Sequence, residues 1–183
     1  MKTAMIKNLI LASSLVASTA HAESSVKAQP STVPAVKEWN AQQGTMNVLA
    51  ISQVVVVGEN AQLSTLAKLV SEELKLTTKN VAGGVKVGLK IDSSISKNTE
   101  AYELTIGDQS ISITGASPAG VYYGTRTLQQ MLQQSSAELP KGTIKDAPLY
   151  PVRSVLLDVG RKFMPVDEVK DWIRMMGWMK LNE

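Results

Sequence analysis

Residues 152–182 read VRSVLLDVGRKFMPVDEVKDWIRMMGWMKLN. Within them Val155-Leu156-Leu157-Asp158-Val159 is a short apolar run, the pattern of a strand buried on both faces of a parallel sheet. From Val166 the period changes. Val166, Val169, Ile173, Met176 and Met179 recur at three- and four-residue steps, which predicts an amphipathic helix. Asp167 and Glu168 fall in its first turn and Lys180 in its last, both favourable to the helix dipole. A strand followed by a helix is half of a βαβ repeat and cannot cover its own apolar surface. The stretch therefore reads as the opening of a second domain.

The first domain lies upstream. Val48 to Val57 is β-branched enough for one strand or two. Asn60 is placed to cap a helix with apolar positions Leu63, Leu66, Ala67, Val70 and Leu74. Val85-x-Val87-x-Leu89-x-Ile91 alternates strictly and predicts a half-buried strand. Tyr102–Ile106 and 110–114 read as a hairpin around Gly107-Asp108. Ser117-Pro118 is a helix start, and Val121, Gly124, Leu128, Met131 and Leu132 form one apolar stripe of that helix. The expected class is α+β: an antiparallel or mixed sheet with helices on one face. Residues 139–151, with Pro140, Pro148 and Pro151, are expected to be a connection. The prolines of 23–34 suggest a solvated linker, with Trp39 anchoring its end.

Residues 1–22 read as a cleavable signal: Lys2 and Lys7, an apolar core from Leu9 to Val16, and Ala20-His21-Ala22. The run is too short for a stable membrane anchor. The expected protein is exported, periplasmic or secreted. Lys2 and Lys7 account for two of the three net positive charges, and no basic stripe suggests nucleic acid. There is no cysteine, and the one histidine, His21, lies in the signal. Beyond the signal, thiol and histidine nucleophile chemistry and the usual zinc ligand sets are excluded. No cofactor or metal site is expected.

Two blocks carry a family resemblance. Asp158-x-x-Arg161-x-Phe163, a helix and Lys180-Leu181-Asn182 resemble the first barrel strand and helix of glycoside hydrolase family 20, the β-N-acetylhexosaminidases. Tyr102-Glu103-Leu104-x-Ile106, Ile111-x-Ile113 and Gly120-Val121-Tyr122-Tyr123-Gly124-x-x-Thr127-Leu128-Gln129-Gln130 are similar to the small domain that precedes that barrel. The resemblance implies a small α+β domain over 35–147 and, over 148–183, the first βα unit of an incomplete (β/α)8 barrel. A complete barrel takes about 250 residues. The implied activity is removal of terminal N-acetylhexosamine from chitooligosaccharides or glycans, assisted by the substrate's own acetamide. The family's catalytic pair is an adjacent Asp-Glu later in the barrel, to which nothing here corresponds, so no catalytic residue is assigned and the chain alone is expected to be inactive. The partner of the complete enzyme is an N-acetylhexosamine-terminated oligosaccharide, and the lone barrel unit is expected to be loosely docked or to self-associate.

Arg161 is the one substrate-binding candidate. A guanidinium offers a rigid fork of donors suited to paired hydroxyls, and the resemblance gives this arginine the hydroxyls of the terminal sugar. An ion pair with Asp158 or Asp167 is the other reading of the same residue. Asp158 is expected to orient its neighbours. Asp167-Glu168 and Glu72-Glu73 are adjacent acids at helix positions and read as surface charge, while Trp39, Trp172 and Trp178 read as packing. The rival to an enzyme fragment is a free-standing exported binding or scaffolding module, whose terminal strand and helix close on the small domain itself.

Overall fold

Strict alternation from Val85 to Ile91 assigns Val85, Val87 and Leu89 to one face, and the computed structural model, which describes residues 29–76 and 83–183, buries all three. The strand is the third of six: β1 (Glu38–Asn47), β2 (Ile51–Val56), β3 (Val85–Ile91), β4 (Tyr102–Ile106), β5 (Ser110–Gly115) and β6 (Glu138–Asp146). Helices α1 (Ala61–Glu73) and α2 (Pro118–Gln134) lie among them, and α3 (Val166–Trp178) follows. The strands form one sheet in the order β1-β6-β4-β5-β3-β2. Its β2–β3 and β3–β5 pairs are parallel and the others antiparallel, so the sheet is mixed.

One face is apolar. Leu104, Ile113 and Ile144 join Val87 and Leu89 there, and α1 and α2 cover it with Leu63, Val70, Val121 and Leu128 in a single core. The other face carries Lys86, Lys90 and the Lys145–Glu103 pair. Both helices start as their sequences predict. The Asn60 side chain accepts from Leu63 N at 3.0 Å, and Ser117 from Ala119 N at 3.1 Å with Pro118 opening α2. Gly120 lets α2 approach the sheet closely, since a Cβ there would stand 2.2 Å from the carbonyl oxygen of Ala101.

α2 is buried on more than its apolar stripe. Arg126 forks onto Glu73 of α1 at 3.0 and 2.7 Å and lies over the Tyr122 ring, and Gln129 donates to the same carboxylate. Glu73 is thus an interhelical brace and not a surface charge. Gln130 accepts from Val33 N at 2.8 Å and donates to the carbonyls of Val33 and Trp178. This alters the expected solvated linker: residues 29–34 lie against α2, and Thr32 is buried. The linker's earlier part and the signal lie outside the described residues.

Two strands depart from expectation. Residues 138–146 form β6 where a connection is expected. β4 pairs with β6 only from Gly142 to Asp146, so at Pro140 the strand has a single neighbour, β1, and can lack an N–H. Gly142, at φ +155°, lies under the Trp39 ring, where a Cβ would come within 2.4 Å. Trp39 therefore belongs to β1 and packs on the sheet; it does not anchor a linker. Val48 to Val57 divides into a 3-10 turn (Val48–Ala50) and β2.

Candidate functional site

The unit from residue 148 onward carries the motif with chemical interest, and its seating depends on how α3 ends. Asp167 and Glu168 occupy the first turn as expected. At the other end Lys180 N donates to Gly177 O and Leu181 N to Met176 O, the paired bonds that close a helix around a left-handed residue. That residue is Lys180, at φ +59°, where glycine is the usual occupant. Lys180 therefore lies beyond the helix and does not serve its dipole, contrary to expectation. Its side chain turns inward and is buried.

Two ion pairs tie this unit to the sheet domain. Lys180 Nζ donates to Asp146 Oδ2 at 3.1 Å and to the Tyr102 hydroxyl at 2.9 Å. Tyr102 gives its one proton to Asp146 at 2.7 Å, so the Thr127 hydroxyl, 2.6 Å away, donates to it. The second pair is a fork: Arg153 Nη1 and Nη2 each reach Glu100 at 2.9 Å. The Asn98 side chain holds Glu100 N at 3.0 Å, just ahead of β4, and the Tyr123 hydroxyl donates to the same carboxylate. Arg153 also donates through Nε to Lys180 O and through Nη1 to Tyr150 O.

The two pairs differ electrically. Arg153's hydrogen bonds hold the Glu100 carboxyl below its ordinary 4.5, against an opposing effect of burial. Burial lowers the amine of Lys180 more than Asp146 raises it. A lowered lysine value means that the folded state resists its proton, so the buried charge is a cost at neutral pH, relieved only toward its ordinary 10.5. Glu100–Arg153 stabilises; Lys180–Asp146 determines where Lys180 goes.

Arg161 lies elsewhere. Residues 152–158 form no strand, and Arg161 stands in the turn that follows. Its side chain is 91% exposed and meets Asp158 at 3.3 Å, one of the two ion pairs considered from sequence. Asp158 Oδ1 accepts from Gly160 N and Arg161 N, so Asp158 does orient its neighbours. The predicted strand over 155–159 is absent for a physical reason. A parallel strand needs partners, and among the described residues the backbone bonds made here, from Val155 N to Glu183 O and from Asn182 N and Glu183 N to Arg153 O, stop at its first residue. Leu156 is 94% exposed and Phe163 83%, and Ile173 on α3 is 62% exposed. Trp172 and Trp178 are half-buried.

Residues 29–147 match Glycosyl hydrolase family 20, domain 2, and residues 150–183 match the family's catalytic domain. The chain belongs to glycosyl hydrolase family 20. Among family members, a Beta-hexosaminidase of Porphyromonas gingivalis is 30% identical over 139 residues, covering 66% of this chain and 18% of its own length. A Lacto-N-biosidase of Bifidobacterium bifidum is 28% identical over 161 residues, with coverage of 84% and 14%. The chain thus spans less than a fifth of these relatives. The family 20 β-N-acetylhexosaminidase of Streptomyces coelicolor superposes with a TM-score of 0.69 at 25% identity, over 83% of this chain and 33% of that one. A family 20 exo-β-N-acetylglucosaminidase of Vibrio harveyi, solved with N-acetylglucosamine, gives 0.68 over 84% and 24%; at 24% identity it bears on the fold alone.

In family 20 terms, Arg153, Lys180 and Asn182 belong to the catalytic domain, and Glu100, Tyr102, Tyr123 and Asp146 to domain 2. Sequence reasoning singled out Arg161 and did not find this network. Lys180 stood in the quoted Lys-Leu-Asn motif; Arg153, next to Pro151 and Val152, carries no local signal.

Acid should separate the two halves. Glu100's folded value lies below its unfolded one, so its contribution is complete above about 4.5 and is lost as pH falls through the depressed value. Hydrogen exchange, corrected for intrinsic pH dependence, should show residues 150–183 losing protection between about pH 6 and about pH 3.5, with β3 to β5 unchanged. Equal protection of the terminal unit at both values would contradict this assignment.

Proposed function

We propose that this chain is the N-terminal portion of an exported β-N-acetylhexosaminidase that hydrolyses terminal non-reducing N-acetylhexosamine from chitooligosaccharides or glycans. The carrying observation is a barrel unit seated at its base by two ion pairs, with Leu156, Phe163 and Ile173 still turned to solvent. Fully burying one such side chain stabilises by about 1.5–3 kcal/mol, so these residues suit a site completed by further barrel elements. The ion pairs alone would also suit a free-standing module. The exposed apolar surface favours the enzyme reading, and in the chain by itself it favours self-association.

In the complete enzyme Arg161 binds hydroxyls of the terminal sugar. Strand C-terminal ends build the active face of a (β/α)8 barrel, and Arg161 directly follows the stretch that would be its first strand. Its partner Asp158 keeps the guanidinium near that end without burying it. Hydrolysis proceeds with the substrate acetamide as nucleophile and a glutamate as general acid, and both the acid and the aspartate that orients the acetamide come from barrel segments other than those described here. No metal or cofactor takes part.

Purified residues 23–183 are expected to leave a chromogenic N-acetylglucosaminide intact, whereas a chain extended with the remaining barrel turns it over. In the extended enzyme Arg161→Ala should lower kcat/KM about 10- to 100-fold, the loss of charge-assisted hydrogen bonds of about 1.5–3 kcal/mol. Arg161→Lys should not restore it, because one ammonium cannot reproduce the fork. Turnover by residues 23–183, or an unchanged kcat/KM in a well-folded Arg161→Ala enzyme, would contradict the respective part of the proposal.

Export is part of the same reading. Mass spectrometry of the exported protein should find Glu23 at its N-terminus; a membrane-bound species retaining Met1 would refute cleavage after Ala22.

A further inference from the structure

Strands that are parallel neighbours in a barrel have no hairpin turn to set their register, because a helix separates them in sequence. A slip of one residue would turn every side chain to the opposite face. Something else must fix which residue of the first strand meets which residue of the second.

In this chain the answer lies at Arg153. Its backbone carbonyl accepts from Asn182 N at 2.9 Å and Glu183 N at 3.2 Å, and Val155 N donates to Glu183 O at 3.0 Å. These bonds run in the parallel sense, with Ser154 opposite Glu183. The same arginine donates through its own backbone N to Asn182 Oδ1 at 2.9 Å and through Nε to Lys180 O at 2.8 Å. Asn182 closes the loop by donating to Pro151 O at 2.8 Å. Every one of these contacts joins the two segments on either side of α3. Both segments are held in turn by carboxylates of the sheet domain, Glu100 beneath Arg153 and Asp146 beneath Lys180.

We infer that the small domain has a task of its own in building the enzyme: it sets the register of the first two barrel strands, with Arg153 as the positioning residue through which Glu100 acts. A two-residue slip of either segment moves its side chains by about 6.6 Å. That is far outside hydrogen-bond reach, so a slipped pairing must abandon the Glu100 fork, the Asp146 contact or both. Lys180 fits the same logic. It holds a left-handed backbone conformation that glycine would take without strain, and from there its side chain reaches Asp146.

The inference rests on the assignment of residues 150–183 to the catalytic domain, but its test needs no hydrolysis, so its failure and a failure of the glycosidase proposal are separate results. The chain has no cysteine, so introduced pairs report on their own. Ser154→Cys with Glu183→Cys probes the observed register, since paired strands stand about 4.8 Å apart and disulfides span about 4.4–6.8 Å between Cα atoms. Leu156→Cys with Glu183→Cys probes a two-residue slip. Under the same oxidant the first pair should close at least about tenfold faster than the second. Adding Arg153→Gln, or Glu100→Gln, should bring that ratio to near one. A ratio near one without these substitutions, or one that survives both, would overturn the inference. Arg153 lies outside the hydrophobic core, so the thermal melt of the sheet should not move. A variant that melts the sheet as well would also overturn the inference, because the clasp would then belong to the small domain's own stability.

Discussion

The Glu100–Arg153 fork joins two bodies that are stabilised in unlike ways. The sheet domain has a continuous core running from Val36 to Ile144, with Leu63, Leu104 and Leu128 at its centre. Residues 148–183 contribute nothing to that core, and none of α3 is fully buried. What holds them is polar: a bidentate pair and backbone bonds arranged around one arginine, with the buried Lys180 fixing where the chain turns inward. Charge-assisted bonds of this kind are worth about 1.5–3 kcal/mol, enough to seat a unit of this size but not to make it a domain. The terminal unit is therefore pinned at its base, while Leu156, Phe163 and Ile173 along it stay exposed.

Much of the sheet domain was legible in the sequence because local signals and tertiary packing agree there. Strict alternation in β3, the Gly107-Asp108 hairpin, and the Asn60 and Ser117 caps all became what their residues predict. β6 was not legible. Pro140 and Gly142 are turn residues by type, and they are tolerated only because β4 ends short of the one and Trp39 lies over the other. No local window contains that information. The run Val155 to Val159 failed in the opposite direction: its pattern is that of a buried strand, yet burial has to come from other strands.

The candidate site divides in the same way. Arg161 could be found because it stands in a spaced motif, and its nearest partner, Asp158, was one of the two ion pairs considered. Lys180 stood in the Lys-Leu-Asn motif but was given the role of a charge on a helix end; its position one residue past the cap sends the side chain into the sheet domain instead. Arg153 and Glu100 lie 53 residues apart in sequence, and neither belongs to a motif. Membership of glycosyl hydrolase family 20 explains why a sheet domain should hold the foot of a barrel at all, since matches to domain 2 and to the catalytic domain meet between residues 147 and 150.

The claim on which the rest depends is that Glu100 and Arg153 are energetically coupled and that this coupling seats the terminal unit. A double-mutant cycle measures it directly. The opening free energy of residues 150–183, read by native-state hydrogen exchange, would be compared among the parent chain, Glu100→Gln, Arg153→Gln and the double variant. The predicted coupling is at least about 1.5 kcal/mol, with each single variant losing most of what the double variant loses. A coupling within about 0.5 kcal/mol of zero, with the unit still protected in the double variant, would show that the fork is incidental and that something other than this ion pair seats the unit.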